Sequence, residues 1–232
     1  MKRGVFITGT DTGVGKTRVG AALAWELSRR GLKVRARKPV ESGCSEGPDG
    51  LVPQDALILR EAAGQHEPLD QVCRYRLRAP LSPERAARLE DVDLTLGLLH
   101  EACVAEVGPE DFWLVEGAGG FYSPMAPGAL NADLASGLGL PVLVVAADRL
   151  GTLNHTLLTV VAVRSRGLTL AGLVLNQTTP QADTGGMDNA GDLARWLRCP
   201  VLRLPHATDA GLAAWCREAA CLATLSARWL AA

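Results

Sequence analysis

Short apolar runs rich in valine, isoleucine and leucine alternate along the chain with longer segments of helical periodicity. The apolar runs predict strands at residues 4–8, 33–37, 112–116, 141–147, 170–176 and 200–204. The segments between and after them predict helices at residues 16–30, 53–63, 94–107, 154–166, 188–197 and 211–229. Continuous apolar strands separated by amphipathic helices are typical of a parallel sheet covered on both faces. The pattern therefore predicts a doubly wound α/β fold with a mostly parallel sheet.

The chain has 232 residues and shows neither an internal repeat nor a long polar linker, so we expect a single domain over residues 1–232. Stretches rich in glycine and proline at 42–53, 117–129 and 177–187 come directly after predicted strands. Open α/β sheets bind their ligands at the carboxyl ends of the strands. We therefore expect functional residues in these loops.

Lysine and arginine number 24 against 25 aspartates and glutamates, which gives a formal charge of -1. A chain with this charge balance is not expected to have the basic surface that nucleic acids or anionic membranes require. Small molecules are therefore the expected partners. Six cysteines are scattered without a Cys-x-x-Cys pair, which favours free thiols over a metal site. No apolar run approaches the ~20 residues of a membrane span, and the first residues resemble a strand rather than a signal peptide. A cytoplasmic protein is expected.

The segment ITGTDTGVGKTRV, residues 7–19, follows the first predicted strand and opens the first predicted helix. Its glycines let backbone N–H groups converge on phosphates at the positive end of that helix. The leading Gly9 stands six residues before Gly15, one more than in the general phosphate-loop pattern. Lys16 would reach the β- and γ-phosphates of ATP, and the Thr17 hydroxyl would bind Mg²⁺. The fold is therefore expected to be of P-loop NTPase type, with ATP contacts at Gly13, Val14, Gly15, Lys16, Thr17 and Arg18.

Two other interpretations of this loop compete with ATP binding. A glycine-rich turn with an exposed lysine would not need strand, glycines, Lys-Thr and helix in this order. A dinucleotide site requires G-x-G-x-x-G, but Arg18 stands where the third glycine would be. A Lys-Thr pair suits a triphosphate with a metal, so ATP is the favoured ligand.

Two carboxylates are candidate Mg²⁺ ligands beside Thr17. Glu116 ends the apolar run FWLVE and precedes GAGG, so we expect it at the carboxyl edge of the sheet. An acid at the end of a buried strand is costly unless a cation meets it. Asp55, in PQDALIL, lies near the start of a predicted helix. There it could equally stabilise the helix dipole without any metal.

Six motifs in unbroken order resemble the dethiobiotin synthetase family: GTDTGVGKT (9–17), KPVESG (38–43), QDAL (54–57), VEGAGG (115–120), LGTLNH (150–155) and LNQTTP (175–180). The longer phosphate loop is itself a trait of that family. The resemblance implies an ATP- and Mg²⁺-dependent ligase that closes a cyclic urea on 7,8-diaminopelargonate with CO2. The products would be dethiobiotin, ADP and phosphate, in biotin synthesis. The resemblance also implies a homodimer with the substrate site near the interface.

The same resemblance implies roles for individual residues. Lys16 and Lys38 are the expected catalytic residues, and Thr17, Asp55 and Glu116 are the expected metal ligands. Further nucleotide contacts are expected at Gly117, Ala118, Gly119, Asn176, Gln177, Pro205, His206 and Ala207, with Asn176 reading the adenine. Substrate contacts are expected at Thr12, Ser42, Gly151 and Asn154. The last two lie in a segment before a predicted helix, whose free N–H groups could bind the substrate carboxylate across a dimer interface.

Without the resemblance, several of these residues have plainer interpretations. Lys38 could be an exposed lysine at a strand end, Ser42 a turn residue, and Asn176 a residue that merely ends a strand. The family's chemistry favours the functional alternatives, because carbamate formation and phosphoryl transfer build up negative charge. Two lysines and a metal in a dry site would stabilise that charge better than water does.

Three rival functions share parts of this pattern. A nucleotide-switch ATPase of the partitioning or metal-delivery type carries a signature lysine early in the loop, where this chain has TDTG. A cobyrinic-acid amidase-type synthetase needs a glutamine-hydrolysing domain, which is not expected within 232 residues. A non-catalytic phosphate-binding module would not need Lys38 and two metal carboxylates.

Overall fold

The computed structural model of the chain describes residues 3–65, 67–180, 186–206 and 222. The central sheet contains β1 (Gly4–Gly9), β2 (Val34–Arg37), β7 (Phe112–Gly120), β10 (Val142–Ala147), β11 (Leu170–Asn176) and β12 (Val201–Leu204). Their order is β12-β11-β10-β1-β7-β2, and every neighbouring pair is parallel. The predicted α/β class, the parallel sheet and all six predicted strands are confirmed.

Helices cover both faces of this sheet. They are α1 (Lys16–Arg29), α2 (Gln54–Ala62), α3 (Leu69–Val72), α4 (Pro83–Leu89), α5 (Leu96–Val104), α6 (Asn131–Leu138), α7 (Thr152–Ser165) and α8 (Asn189–Leu197). Successive side chains of a strand point to opposite faces, so β1 contributes to two apolar layers. Val5 and Ile7 pack in the layer that contains α1 and α2, whereas Phe6 packs in the layer that contains α5, α6 and α7.

Within the described residues, three two-stranded sheets lie outside the central one. They are formed by β3 (Val40–Ser42) with β6 (Tyr75–Leu77), β4 (Ser45–Gly47) with β5 (Gly50–Val52), and β8 (Pro124–Ala126) with β9 (Ala129–Leu130). The sequence did not predict these six strands, because two or three residues are too few to show a period of two. The β3–β6 pair matters for the site, since it carries the chain from the end of β2 towards α2.

The order of the strands places the ligand crevice next to β1. The chain runs from β1 to the sheet edge at β2, returns to β7, and then crosses to β10 on the other side of β1. Parallel sheets bind ligands at such a reversal, beyond the carboxyl ends of the strands. The loop between Gly9 and Lys16 begins at this point.

Several predicted boundaries differ from the structure. β7 continues to Gly120, so Glu116 lies within the strand and does not end it. Helix α7 begins at Thr152, so Asn154 lies in its first turn and not ahead of it. Almost all of the predicted helix 211–229 lies outside the described residues. Among the helices that the structure describes, none combines the length and the apolar character needed to cross a membrane.

Candidate active site

The phosphate loop joins β1 to α1 and takes its shape from a glycine. Gly15 precedes α1 with a φ of 95°, a left-handed conformation that glycine adopts at little cost. A Cβ at Gly15 would lie 2.1 Å from Asn176 Nδ2, so the position has no room for a side chain. Asn176 Nδ2 donates a hydrogen bond to the Val14 carbonyl at 2.9 Å. The end of β11 therefore supports the loop directly.

Lys38 brings two acidic side chains together beside this loop. Its Nζ lies 2.5 Å from Glu116 Oε1 and 3.0 Å from Asp55 Oδ2. The Thr17 hydroxyl donates to the same Glu116 oxygen at 2.9 Å. Lys38 is only 3% exposed, so the alternative of an exposed lysine at a strand end is wrong. Lys38 and Glu116 are both deeply buried, so their charges act on one another with little screening by water.

The second lysine, Lys16, differs from Lys38 in its electrostatic environment. Its Nζ donates to the Asp11 carbonyl at 3.1 Å. Burial, together with the positive charge of Lys38, lowers the pKa of Lys16 to about 8. Burial also acts against the charge of Lys38, but Glu116 and Asp55 outweigh it and hold the pKa of Lys38 above its ordinary value. Lys38 therefore stays charged, whereas Lys16 gives up its proton in weakly alkaline solution until an anion binds.

The two acids also respond differently to their surroundings. Burial raises the pKa of Glu116, although the charge of Lys38 opposes this. Burial acts in the same direction on Asp55, but there the charge of Lys38 outweighs it and the pKa lies below its ordinary value. The ionised state of Glu116 therefore depends on the lysine beside it.

Oxygen atoms suited to a hard cation converge at this point. The Thr17 hydroxyl and the carboxylates of Asp55 and Glu116 provide an all-oxygen donor set of the kind that Mg²⁺ prefers. Among the described residues, Glu116 Oε2 is buried and has no hydrogen-bond partner. A buried carboxylate oxygen left unpaired is costly, and a bound cation would satisfy it. The residues present therefore fit Mg²⁺.

Glu41 is a third acid at the site, and sequence reasoning did not single it out. It is 7% exposed and lines the same cavity as Lys38 and Asp55. Its two oxygens accept hydrogen bonds from the backbone N–H groups of Asp55 and Ala56, each at 3.0 Å. Burial, reinforced by the charge of Asp55, raises the pKa of Glu41 to about 7. The available signal was Pro53, the first residue of the predicted helix 53–63, because a proline side chain cannot accept a hydrogen bond.

A cavity of about 570 Å³ opens beside these groups. This volume is within the range of small-molecule sites. Predicted site residues that line it are Thr12, Gly13, Gly15, Lys16, Thr17, Arg18, Lys38, Ser42, Asp55, Ala118 and Gly119. Besides Glu41, the prediction missed the segment 80–83 and Ser123, which also line it. Residues 80–82 and Ser123 lie in loops and Pro83 begins α4, and none of them belongs to a chemical motif, so the sequence offered no signal for them.

Three predicted residues near the cavity have structural contacts of their own. The Ser42 hydroxyl donates to the Leu81 carbonyl at 2.7 Å, which ties β3 to the segment 80–83. The Gly117 carbonyl lies 3.5 Å from Lys38 Nζ, and a Cβ at Gly117 would lie 2.4 Å from Asn131 Oδ1. Val14 packs its side chain into the apolar core, so it can offer a ligand only its backbone.

The predicted base-reading residue, Asn176, is held from two sides. Arg18 Nη1 donates to Asn176 Oδ1 at 2.8 Å, while Asn176 Nδ2 contacts the phosphate loop as described above. Next along the chain, Gln177 Oε1 accepts a hydrogen bond from the His206 backbone at 3.1 Å. Gln177 is thereby joined to the segment that contains Pro205 and His206. The predicted contact Ala207 lies outside the described residues.

The predicted substrate contacts Gly151 and Asn154 lie at the start of α7. Gly151 precedes the helix with a φ of 90°, and Asn154 is exposed. Neither occurs among the described residues that line the 570 Å³ cavity. The structure of this single chain therefore brings the phosphate-loop residues, the lysines and the acids together, but not these two.

Sequence comparisons with known proteins find relatives that match most of the chain. A protein-family model described as an AAA domain matches residues 3–210. The chain is 47% identical over 208 residues to the ATP-dependent dethiobiotin synthetase BioD of Anaeromyxobacter dehalogenans strain 2CP-1, with 89% of this chain and 92% of the relative covered. It is 36% identical over 218 residues to the protein of the same name from Thermodesulfovibrio yellowstonii, with 90% and 91% covered.

Solved structures of other proteins resemble the fold, and two of them illustrate the likeness. They are a ParA family ATPase from Chlorobium tepidum, with a TM-score of 0.57 and 13% identity, and the MinC:MinD cell division complex of Aquifex aeolicus, with 0.56 and 14%. The first match covers 99% of this chain and 98% of the other, and the second covers 99% and 96%. Identities this low establish only that the folds are alike.

Proposed function

The chain belongs to the dethiobiotin synthetase family, and on that premise we propose that the site described above carries out the family's reaction. The protein is an ATP-dependent ligase of biotin biosynthesis. In the proposed reaction, one amine of 7,8-diaminopelargonate adds to CO2 and loses a proton, which gives a carbamate. A carbamate oxygen attacks the γ-phosphorus of ATP and ADP leaves. The second amine then attacks the carbamoyl carbon, loses a proton and displaces phosphate, which closes the cyclic urea.

The observation that carries this proposal is the meeting of two buried lysines at a phosphate loop. Lys16 lies at the start of α1, where the loop N–H groups and the helix dipole favour anions. Lys38 lies beside the same loop and keeps its charge because of the two acids. We assign Lys16 to the phosphate oxygens. Lys38 is assigned to the negative charge on the carbamate and the transferring phosphoryl group, which a site shielded from water stabilises strongly.

Thr17, Asp55 and Glu116 are the residues that would hold Mg²⁺. When bound, Mg²⁺ neutralises charge on the β- and γ-phosphates of the nucleotide. The protein contributes the alignment of the donors. Lys38 contacts both carboxylates, so Asp55 and Glu116 are directed at one point before any cation arrives.

The nucleotide base is assigned to Asn176. Its contacts with Arg18 and Val14 fix which end of the carboxamide is oxygen and which is nitrogen. One oxygen lone pair and one N–H remain for a ligand, and adenine offers a matching donor and acceptor on one edge. The other proposed nucleotide contacts are the loop residues Gly13, Gly15 and Thr17, the turn Gly117, Ala118 and Gly119, and Gln177, Pro205, His206 and Ala207. Thr12, Ser42, Gly151 and Asn154 remain the proposed diamine contacts.

The experiment that tests the function follows phosphate release by purified protein. We expect release only when the diamine, CO2 and Mg²⁺ are all present with ATP, and we expect dethiobiotin in equal amount. Leaving out one component at a time provides the controls. Phosphate release at the same rate without the diamine would instead favour the nucleotide-switch ATPase.

A homodimer is part of the same proposal. Leu150, Leu158 and Val161 are exposed, at 87%, 62% and 64%, around helix α7. Leu158 also lines a second cavity of about 540 Å³, which contains Thr10 and Asp11 of the phosphate loop. An apolar patch of this kind next to a site is typical of an interface between subunits. Light scattering should give twice the mass of the chain, and Val161→Asp should give the mass of one chain. A wild-type protein of single mass at micromolar concentration would contradict the dimer.

The proposal extends to location and domain organisation. The described cysteines Cys44, Cys73, Cys103 and Cys199 are free, and Cys44, Cys73 and Cys103 are buried. Free thiols are typical of a reducing compartment, which supports a cytoplasmic enzyme. We also propose that residues 1–232 act as one domain. Limited proteolysis tests this, because a single domain should yield no stable half-length fragment.

A further inference from the structure

Helix α2 begins without help from the residue that precedes it. The first N–H groups of an α-helix have no partner within the helix and need an acceptor from elsewhere. Serine, threonine, asparagine or aspartate usually provides it from the preceding position. Here that position is Pro53, whose side chain has no acceptor atom. The N–H groups of the first turn must therefore be satisfied from outside the helix.

Glu41 supplies that acceptor from β3. One of its carboxylate oxygens accepts from the Asp55 N–H and the other from the Ala56 N–H, each at 3.0 Å. The Glu41 side chain is thereby buried against the start of α2, and Glu41 itself pairs with Arg76 in the β3–β6 sheet. Hydrogen bonds from N–H groups to an ionised carboxylate are among the stronger ones in proteins. The first turn of α2 is thus tied to β3.

This tie acts on a residue whose side chain is not held by packing. The Asp55 side chain is 40% exposed, yet its Oδ2 lies 3.0 Å from the buried Lys38 Nζ. The two residues are therefore held together by the position of the Asp55 backbone. Glu41 binds that backbone at the N–H of Asp55 itself. The arrangement also brings the carboxylates of Glu41 and Asp55 close together, which is unfavourable. Capping alone would not need a second acid, since an uncharged serine or asparagine caps a helix as well.

We propose that Glu41 is a positioning residue, whose carboxylate fixes the first turn of α2 so that Asp55 faces Lys38 and the cation site at the phosphate loop. The inference rests on the proposed function, because it takes Asp55 as a ligand of the nucleotide-bound metal. Residues behind a metal ligand often contribute about 10-fold to 100-fold to metal affinity. Glu41 would act through the Asp55 backbone and is not one of the residues assigned to hold the metal.

The test compares Glu41→Ala and Glu41→Gln with wild type. Mn²⁺ serves as the probe, and its binding in the presence of ADP is measured by electron paramagnetic resonance. We expect Glu41→Ala to weaken Mn²⁺ binding about 10-fold or more, and Glu41→Gln, which keeps one acceptor oxygen, to fall between it and wild type. The KM for the diamine should change less than twofold, on the order of experimental scatter, while kcat falls with Mn²⁺ occupancy.

Thr95→Ala is the matched control for a purely structural cap. The Thr95 hydroxyl accepts from the Leu98 N–H at the start of α5, and Thr95 does not line the 570 Å³ cavity. This variant should lower the melting temperature and leave Mn²⁺ affinity unchanged. If Glu41→Ala also melts earlier but binds Mn²⁺ like wild type, the positioning role is refuted. Should Glu41→Ala fail to fold, Glu41→Gln decides by the same measurement. Wild type that binds no Mn²⁺ with ADP would overturn the proposed function, and the inference with it.

Discussion

Replacing Lys38 by methionine tests the buried charge cluster most directly. The change keeps an unbranched side chain that is shorter by the terminal nitrogen, and it removes the ammonium group. Glu116 is fully buried and Asp55 partly so, and both acids would lose their cation. Removing one partner of a buried ion pair typically costs about 3–5 kcal/mol, because the remaining charge is left unpaired. For a chain of this size that corresponds to a fall in melting temperature of about 6–20 °C.

The pH dependence of the stability of Lys38→Met identifies why this variant is less stable than wild type. Burial already raises the pKa of Glu116 against the opposing charge of Lys38, so removing Lys38 raises it further. A carboxyl group whose pKa is higher in the folded state than in the unfolded state adds to the free energy of unfolding at low pH. This contribution is complete below the unfolded pKa of about 4.3, and it is lost as the pH rises through the folded pKa. The free energy of unfolding of Lys38→Met should therefore fall furthest below that of wild type near pH 8, and the difference should shrink towards pH 5.

Urea unfolding at both pH values is the assay, and two further variants control it. Lys33→Met removes a lysine whose side chain is 56% exposed and 3.8 Å from Asp111, so it should change stability by less than ~0.5 kcal/mol. Adding Glu116→Gln to Lys38→Met removes the unpaired charge and should restore much of the stability. The reasoning is refuted if Lys38→Met unfolds at the same urea concentration as wild type, or if the double variant is no more stable than the single one.

Three further predictions concern the phosphate loop. ADP with Mg²⁺ should raise the melting temperature of wild type, and Lys16→Ala should abolish this rise. Lys38→Ala should keep part of the rise but lose turnover. Full activity of Lys38→Ala would contradict the role assigned to Lys38. The pKa of Lys16 is about 8 before an anion binds, so bound phosphate should draw a proton onto this lysine. Above pH 8, ADP affinity measured by calorimetry should therefore decrease with a slope that approaches about tenfold per pH unit. An ADP affinity that stays constant from pH 7 to 9.5 would exclude this. Gly15→Ala combines a φ of 95° with a contact of 2.1 Å to Asn176 Nδ2, so it should lower the free energy of unfolding by more than ~2 kcal/mol. Gly13 has a φ of 74° and no atom within 4 Å of an added Cβ among the described residues, so Gly13→Ala should cost about 1 kcal/mol. Equal losses of stability in urea unfolding would show that the Asn176 contact is unimportant.

The central sheet could be predicted because its strands are buried on both faces. Runs such as FWLVE and PVLVVAA are continuous in apolar residues, and their separation by helical periods indicates crossover connections. The phosphate loop could be predicted for a similar reason, since all its parts are adjacent in sequence. Local patterns thus sufficed for both.

The contacts that complete the site could not be predicted from spacing. Lys38 meets Glu116 from a position 78 residues away in sequence, and Glu41 reaches the start of α2 across 15 residues. Such pairs depend on strand order and on three-residue strands like β3, which carry no periodic signal. The end of β7 was misplaced because glycines after Glu116 resembled a loop, although the strand continues through them to Gly120.

The charge balance at the site explains how Lys38 can serve both the empty and the occupied enzyme. Lys38 lies against Glu116 and Asp55, so its charge is matched by acids before ligands arrive. Asp55 and Glu116 are the acids that would hold a divalent cation, and the cation would then balance their charge in place of Lys38. The ammonium group would then be left beside the phosphate loop with its charge no longer matched. An anion is what such a group favours in a site of low dielectric constant. The carbamate and the transferred phosphoryl group are the anions that the proposed reaction brings to that place.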